Sequence, residues 1–397
     1  MSVASENAGV RAARLFVLLS GGVLAGMVQL AILPSQTQMA EHFSNQGDGA
    51  LIAQYVTAIA APTMAFGAPL IGWLASRVGK RPVLLLSALL FAVFGALGAV
   101  APDLWTLLAT RVILGLAAAG FGTMAITYIG DYYTGERRDR MIGWYAVVGG
   151  AGSFVTLLAA GSLADVGGWR VPFALYLIGF LVFALAIPVI SKATDREVVQ
   201  EAGSDTSIRG AMGLYVLIVL IAIVMYMVTM QGPFLLKEDG ITSQSSTSMI
   251  ISMTTVGSMA GAYLFGLINP KLGFRGVLAL TWASLGVGSV GFALTNGVST
   301  LAIFAGLTGI GAGLMQPLTQ SAVLNAVPSA AHARAIGLAV GCIFLGQFLH
   351  PLVLQPLREA VGFQDAFIWM GAAALIAVAI TMLWRLRSPA HPAPASS

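Results

Sequence analysis

The side chains best suited to bind a solute are a few polar residues set in long apolar stretches. Arg111 has no acidic residue near it in sequence, and its planar guanidinium suits recognition of a carboxylate. Gln316 and Gln320 are four residues apart, and Gln347 and His350 are three apart, so each pair shares one face of a helix. The imidazole of His350 titrates near neutral pH, which would let it relay a proton.

Each of these residues also has a purely structural interpretation. An arginine one or two turns inside a membrane helix can extend to the interface, and amides join membrane helices by hydrogen bonds. Tyr226 stands among Met225, Met227 and Met230, whose thioethers either adapt to varied ligands or simply pack. With two further amides, the predicted substrate-binding set is Arg111, Gln29, Tyr226, Gln231, Gln316, Gln320, Gln347 and His350.

Composition excludes a soluble protein. The chain has 397 residues, of which 57% are hydrophobic and 9% charged, whereas about a quarter of a soluble domain is charged. The lone Cys342 forms neither a disulfide nor a metal cluster, and no catalytic or phosphate-loop motif is present. We therefore predict no enzyme activity, no metal and no cofactor other than a proton gradient. Basic residues are scattered, so the expected partners are the lipid bilayer and a small-molecule substrate rather than nucleic acid, with a monomer as the functional unit.

Apolar segments long enough to cross a bilayer predict an all-α polytopic membrane protein with twelve transmembrane helices. If both termini are cytoplasmic, sixteen of the twenty basic residues fall on that side, as positively charged short loops require. The third, sixth and ninth segments hold no Gln, Arg or His, and the twelfth holds only Arg385 at its end, so these four segments are expected to face lipid. The twelve segments are 14–34, 51–74, 83–101, 106–130, 142–163, 172–191, 210–231, 247–268, 277–295, 299–324, 335–355 and 366–386.

The chain also resembles itself at one offset of 194 residues. Arg77, Gly79 and Arg81 match Lys271, Gly273 and Arg275 at that offset. The passages that begin at Arg140 and Leu163 match those at Arg334 and Leu357 in the same way. The repeat predicts two six-helix halves, 1–191 and 210–397, joined by a charged cytoplasmic linker at 192–209.

Three motifs give the whole chain a resemblance to the major facilitator superfamily, closest to its twelve-helix drug:proton antiporters. They are GWLASRVGKR at 72–81, RVILG at 111–115 and GSLADVGGWRVPF at 161–173. Two departures stand out. Ser76 replaces the usual Asp of the first motif, and only Gly152 and Gly161 remain of the family's fifth-helix antiporter motif.

The resemblance implies a secondary transporter of the bacterial cytoplasmic (inner) membrane, with gating residues at the cytoplasmic side. These are Arg77, Gly79, Arg81, Asp131 and Arg140. Asp131 is expected to pair with Arg77 or Arg140 and to latch the halves when that side is closed. No carboxylate lies in the middle of a predicted helix to carry a proton.

Alternating access by an exporter of a small amphipathic molecule or metabolite, coupled to protons, is the function expected from these features. One alternative is a carrier of small organic anions that uses Arg111, by symport or exchange. A more remote alternative is a membrane sensor that keeps the fold without moving solute.

Overall fold

The computed structural model describes residues 8–46, 48–133, 135–190, 208–328 and 332–383. Over these ranges the chain is built of α-helices joined by short turns, with no β-strand. The helices are α1 Ala8–Leu30, α2 Gln36–His42, α3 Gly49–Ala58, α4 Ala60–Val78, α5 Lys80–Leu97, α6 Leu104–Tyr132, α7 Gly135–Gly167, α8 Ile178–Val189, α9 Met212–Met225, α10 Gly232–Glu238, α11 Gln244–Ala293, α12 Val298–Ala326 and α13 His332–Leu383.

Polar side chains fix the starts of three of these helices. Asp48 accepts the backbone N–H of Leu51 at 3.0 Å at the start of α3. Asp103 accepts that of Thr106 at 2.8 Å at the start of α6, and this bond lowers the pKa of the Asp103 carboxyl. Ser243 caps α11 in the same way. Such caps satisfy amides that the first helical turn leaves without partners.

Ten helical segments are long and apolar enough to cross a membrane. Two of them, Gln244–Ala293 and Ala335–Leu383, contain 50 and 49 residues. Each is broken at a glycine with positive φ, Gly273 (φ 62°) in α11 and Gly362 (φ 83°) in α13. Residues with a Cβ rarely adopt this conformation, so glycine allows the chain to turn there.

The internal repeat is visible in the backbone. Gly79 (φ 93°) separates α4 from α5, and Gly168 (φ 76°) follows α7. Adding 194 to these two numbers gives Gly273 and Gly362, the residues that break α11 and α13. The two halves of the sequence therefore turn at equivalent points.

Each half packs around apolar clusters of its own. One cluster draws almost entirely on residues 17–190, with Phe91, Phe121 and Phe173 fully buried. Two others draw on residues 208–378 and include Trp282 and Phe292. Most apolar packing thus lies within one half, while a small cluster of Leu33, Leu157 and Ile251 joins the two halves.

The bounds of the helices differ from those of the apolar segments predicted from the sequence. The segment 142–163, for example, lies inside α7, which spans Gly135–Gly167. The segment 210–231 is interrupted, because α9 ends at Met225 and a π-helical turn, Met227–Gln231, follows. The predicted linker 192–209 lies outside the described residues except for its last two, and Arg209 begins a 3-10 turn.

Candidate functional site

A cavity of about 370 Å³ lies between the two halves. It is lined by residues of α1, α4 and α7 from the first half and of α9, α11, α12 and α13 from the second. The four segments predicted to face lipid contribute none of the described lining residues. The polar side chains of the lining are Gln29, Ser153, Tyr226, Thr229, Thr254, Thr255, Ser258 and Thr308.

The rest of the described lining is apolar, and none of it is charged. Met64, Met225 and Phe344 supply the larger apolar surfaces. A cavity of this kind offers hydroxyl and amide groups to a ligand together with flexible thioethers and an aromatic ring. It therefore suits a small molecule that is partly apolar and partly hydrogen-bonding.

The break after α9 brings Tyr226 and Thr229 to this cavity. Pro233 stands in the first turn of α10, and proline has no N–H to donate to the carbonyl four residues earlier, that of Thr229. The helix accommodates this loss by a π-helical turn over Met227–Gln231. Such turns are frequent at functional sites in membrane and soluble helices alike.

Two amide pairs cross between the halves. Gln29 and Gln347 each donate to the other, with N···O distances of 3.1 and 2.7 Å. Gln54 and Gln231 do the same at 3.1 and 2.9 Å, and Gln231 Nε2 also lies 3.2 Å from His350 Nε2. We call these five residues the amide seam. Because Gln29 also lines the cavity, the seam forms one boundary of the cavity.

Beyond the seam, at one end of the molecule, charged and polar residues join the halves. Lys237 pairs with Glu41, and Arg358 pairs with Asp48. We call this end the closed face and define it by these four residues, Asp165 and residues 243–245.

Asp165 forms the most extensive contact of the closed face. Its carboxylate accepts the backbone N–H groups of Gln244 and Ser245 at 2.6 and 2.9 Å, and the hydroxyls of Ser243 and Ser245. An acidic residue of the first half therefore caps the N-terminus of α11 in the second half, where the helix dipole favours negative charge. The helices are close here, since a Cβ at Gly161 would lie 2.1 Å from Ser248 Oγ.

The predicted gating residues lie at the opposite face and make contacts within one half. Asp131 pairs with Lys80, with a shortest N···O distance of 2.9 Å, where the sequence predicted Arg77 or Arg140. Lys80 belongs to the same motif as Arg77 but begins the next helix, which brings its amine to the end of α6. Arg77 stacks on Trp73, with its Cζ 4.3 Å from the ring centroid.

The remaining gating residues also stay within the first half. Arg81 donates to the carbonyl oxygen of Ile187 at 2.8 Å, and Gly79 provides the turn between α4 and α5. Arg140 is exposed on α7. None of these contacts tests the predicted latch between the halves, so the latch stays a prediction.

Arg111 lies inside the first half and is absent from the described cavity lining. It is fully buried, donates to the Tyr176 hydroxyl and to the Gly95 carbonyl at 3.1 Å each, and lies over the ring of Phe173. The Tyr176 hydroxyl in turn contacts backbone carbonyls of α1 at 3.1 Å. The guanidinium thus joins α6, α5 and the segment before α8.

The other predicted binding residues divide into two groups. Gln29 and Tyr226 line the cavity, while Gln231, Gln347 and His350 lie in the amide seam. On α12, Gln316 is exposed and Gln320 is partly buried, and neither belongs to the described lining.

Sequence reasoning did not assign a role to the lining hydroxyls or to Asp165. A signal for Asp165 was available, since it belongs to the third motif and matches Glu359 in the repeat. Gln54 lies within the predicted membrane segment 51–74 but is not in the predicted binding set. The lining hydroxyls carry no comparable signal, because Ser and Thr are common in membrane helices.

Comparison with known proteins gives a consistent result. The Major Facilitator Superfamily model matches residues 18–298 and 214–397. The nitrite extrusion protein of Bacillus subtilis (strain 168) is 27% identical over 350 residues, which cover 81% of this chain and 82% of that protein. Tetracycline resistance protein, class C, of Escherichia coli is 26% identical over 330 residues, covering 80% and 81%.

A solved structure has the same overall fold. It is a bacterial homolog of the human lysosomal transporter Spinster, in an inward-facing and occupied conformation, with a TM-score of 0.74 and 16% sequence identity over 95% of each chain.

Proposed function

The chain belongs to the Major Facilitator Superfamily and is a multi-pass membrane transporter, not an enzyme, and we propose that it exports a small amphipathic molecule in exchange for protons. Export would occur across a bacterial inner membrane by alternating access, with the halves of one monomer rocking about the central cavity. The energy would come from the proton gradient, without a bound cofactor.

The cavity between the halves is the observation that carries this proposal. It is bounded by residues of both halves, and the closed face and the amide seam join those halves on one side. At the opposite face, Lys80 and Asp131 pair within the first half, and Arg275 donates to Thr381 and Met382 carbonyls within the second. This arrangement supports a state in which the cavity is accessible from one side.

The proposed topology has twelve crossings with cytoplasmic termini. The ten candidate segments become twelve when α11 and α13 are each counted as two helices, divided at Gly273 and Gly362. The excess of basic residues then assigns the opposite face to the cytoplasm and the closed face to the outside. In this topology the described conformation is inward-open.

The lining of the cavity supports an amphipathic substrate. Its volume is near the lower end of the range for small-molecule sites, roughly 300–1,000 Å³. No charged side chain of the described lining is available to pair with a charged solute. An ion that entered without such a partner would lose far more hydration energy than a neutral or weakly polar molecule would.

The alternative function, transport of small organic anions through Arg111, is favoured by the names of two relatives. Each is matched over most of the chain, and one is named for nitrite extrusion and the other for gentisate transport. Against it, the Arg111 guanidinium is already bonded to Tyr176 and Gly95 inside the first half. The guanidinium is also fully buried and lies outside the described cavity lining, so an anion in the cavity would not reach it, and we propose a structural role for Arg111.

Transport by the purified protein in proteoliposomes tests the proposal. Vesicles with an acidic lumen should accumulate tetracycline, the compound named for one relative, or another amphipathic compound from a panel, and a protonophore should abolish the accumulation. Accumulation of nitrite that is independent of the pH gradient would favour the anion carrier. Ligand binding without flux of any compound in the panel would favour the sensor.

A further inference from the structure

The hydrogen bonds of His350 define which of its ring nitrogens carries the proton. Nδ1 lies 2.7 Å from the carbonyl oxygen of Ile223, and a carbonyl can only accept, so Nδ1 carries hydrogen. In a neutral imidazole Nε2 is then an acceptor. It lies 3.2 Å from Gln231 Nε2, which donates to it. The seam as described therefore fits a neutral histidine.

A second proton on His350 would conflict with the seam. The new Nε2–H would point at the NH2 group of Gln231, placing donor against donor. Rotating the Gln231 amide would restore a bond to His350 but would reverse both bonds to Gln54, which would have to rotate as well. Charging the imidazole thus requires either a concerted rearrangement of a pair that joins the halves or the separation of that pair.

A positive charge on His350 would have no counter-ion among its described polar partners. The side chain is fully buried, and in the described part of the chain neither of its polar partners is charged. Two titratable side chains on the neighbouring helical elements are tyrosines. Tyr55 of α3 contacts the Phe348 ring, and Tyr226 lines the cavity. A buried cation without a counter-ion is costly, whereas a hydrated one is not.

The charged groups nearest to His350 along the helices around it lie at the closed face. Asp48 pairs with Arg358, and Lys237 pairs with Glu41. Beside Lys237, burial raises the pKa of the Asp239 carboxyl. Glu238 and Asp165 are the other acidic residues near this face, so an experiment on His350 must separate its response from that of the acidic residues.

We propose that His350 is the site that binds the coupling proton, an inference that rests on the proposed function. When the closed face opens and the seam separates, Nε2 takes a proton from water on that side and becomes an N–H donor. When the halves close again, Gln231 resumes donation to Nε2, the N–H bond breaks, and the proton passes to water in the central cavity. Gln347, one turn from His350, pairs with Gln29 of the cavity wall, so the release path is short.

The proposal predicts that acid favours opening of the closed face through His350. The distance across this face can be measured between spin labels on Asn45→Cys and Asp239→Cys, both exposed positions in different halves. The labels require Cys342→Ala, because Cys342 is the native thiol. The protein is studied without substrate in lipid nanodiscs between about pH 8 and about pH 5.

A water-exposed imidazole titrates near pH 6.5, so the ratio of open to closed molecules should rise by up to about thirtyfold over this range. In His350→Gln, which keeps an uncharged acceptor at the Nε2 position, the rise should be absent. His350→Asn, which keeps a donor for Ile223, should give the same result and guards against a folding defect in one variant. Any pH response that does not come from His350 should remain in both variants.

Two results would overturn the proposal. One is a wild-type distance that does not change with pH, and the other is an unchanged pH response in folded His350→Gln and His350→Asn. If proton-driven transport persists in these variants, the proposed function stands and the assignment of the proton to His350 fails. If wild-type protein transports without any dependence on the gradient, proton coupling itself is wrong.

Discussion

Replacing Asp165 should open the closed face without unfolding either half. The carboxylate belongs to the first half, yet its four hydrogen bonds all go to the first turn of α11 in the second. That turn keeps a cap of its own, since Ser243 Oγ accepts the Ser246 N–H at 3.3 Å. Asp165→Ala therefore removes contacts between halves and leaves the helix start intact.

The size of the effect follows from the chemistry of the contact. Loss of a capping acceptor costs about 0.5–2 kcal/mol, and loss of a negative charge at an exposed helix N-terminus about 0.3–1 kcal/mol. Asp165 is exposed, so water replaces part of what is lost, and we expect a total of about 1.4 kcal/mol. That corresponds to an increase of about tenfold in the ratio of molecules whose closed face has opened to those in which it is closed. Asp165→Asn retains one acceptor and should shift the equilibrium less.

The spin-label pair at Asn45 and Asp239 measures this shift at constant neutral pH. Glu359→Gln is the matched control, because Glu359 is the repeat equivalent of Asp165 but accepts a hydrogen bond from Gln355 of its own helix, at 2.9 Å. It should leave the distance distribution unchanged. Equal shifts in Asp165→Ala and Glu359→Gln, or no shift in either, would refute the argument that Asp165 joins the halves.

Two further predictions concern packing and the cavity. A Cβ at Gly309 would lie 2.1 Å from a backbone carbonyl of α11. Gly309→Ala should therefore destabilise the protein by about 1–3 kcal/mol. Gly337→Ala is the control, because a Cβ there would have no neighbouring atom within 4 Å, and it should leave the thermal midpoint unchanged. Ser153→Phe should fill part of the cavity and slow transport severely, and because Ser153 also packs against Gly26 of α1, the rate is normalised to the amount of folded protein. Ser162→Phe, on the exposed side of the same helix, should transport normally, and equal rates in the two would contradict the location of the site.

The outline of the fold could be predicted because it depends on patterns that the sequence displays directly. Apolar length marks the membrane segments, and the offset of 194 residues relates Gly79 to Gly273 and Gly168 to Gly362, all with positive φ. The cost of burying amides in lipid also favoured Gln29 as a member of the predicted binding set, and Gln29 lines the cavity. What these patterns cannot give is the rotation of each helix about its own axis.

The rotation of each helix determines which groups Arg111 and the lining hydroxyls face. The partners of Arg111, Tyr176 and the Gly95 carbonyl, come from separate helices, so its bonding could not be read from neighbours in sequence. Hydroxyls are harder still, because membrane Ser and Thr often bond a carbonyl of their own helix, as Thr127 bonds Thr123 at 2.8 Å. Such a residue looks the same in the sequence whether it faces lipid, protein or a cavity.

The interactions that join the halves differ in what it costs to break them. Exposed ion pairs such as Lys237–Glu41 contribute about 0–1 kcal/mol each, because water solvates both partners once they separate. A buried amide that loses its partner costs about 1–3 kcal/mol until water reaches it. Separation of Gln54 from Gln231, rather than of the outer charges, should therefore be the larger part of the barrier to opening. Since Gln231 also donates to His350, protonation acts on the costliest contact, and a single proton can bias the whole rearrangement.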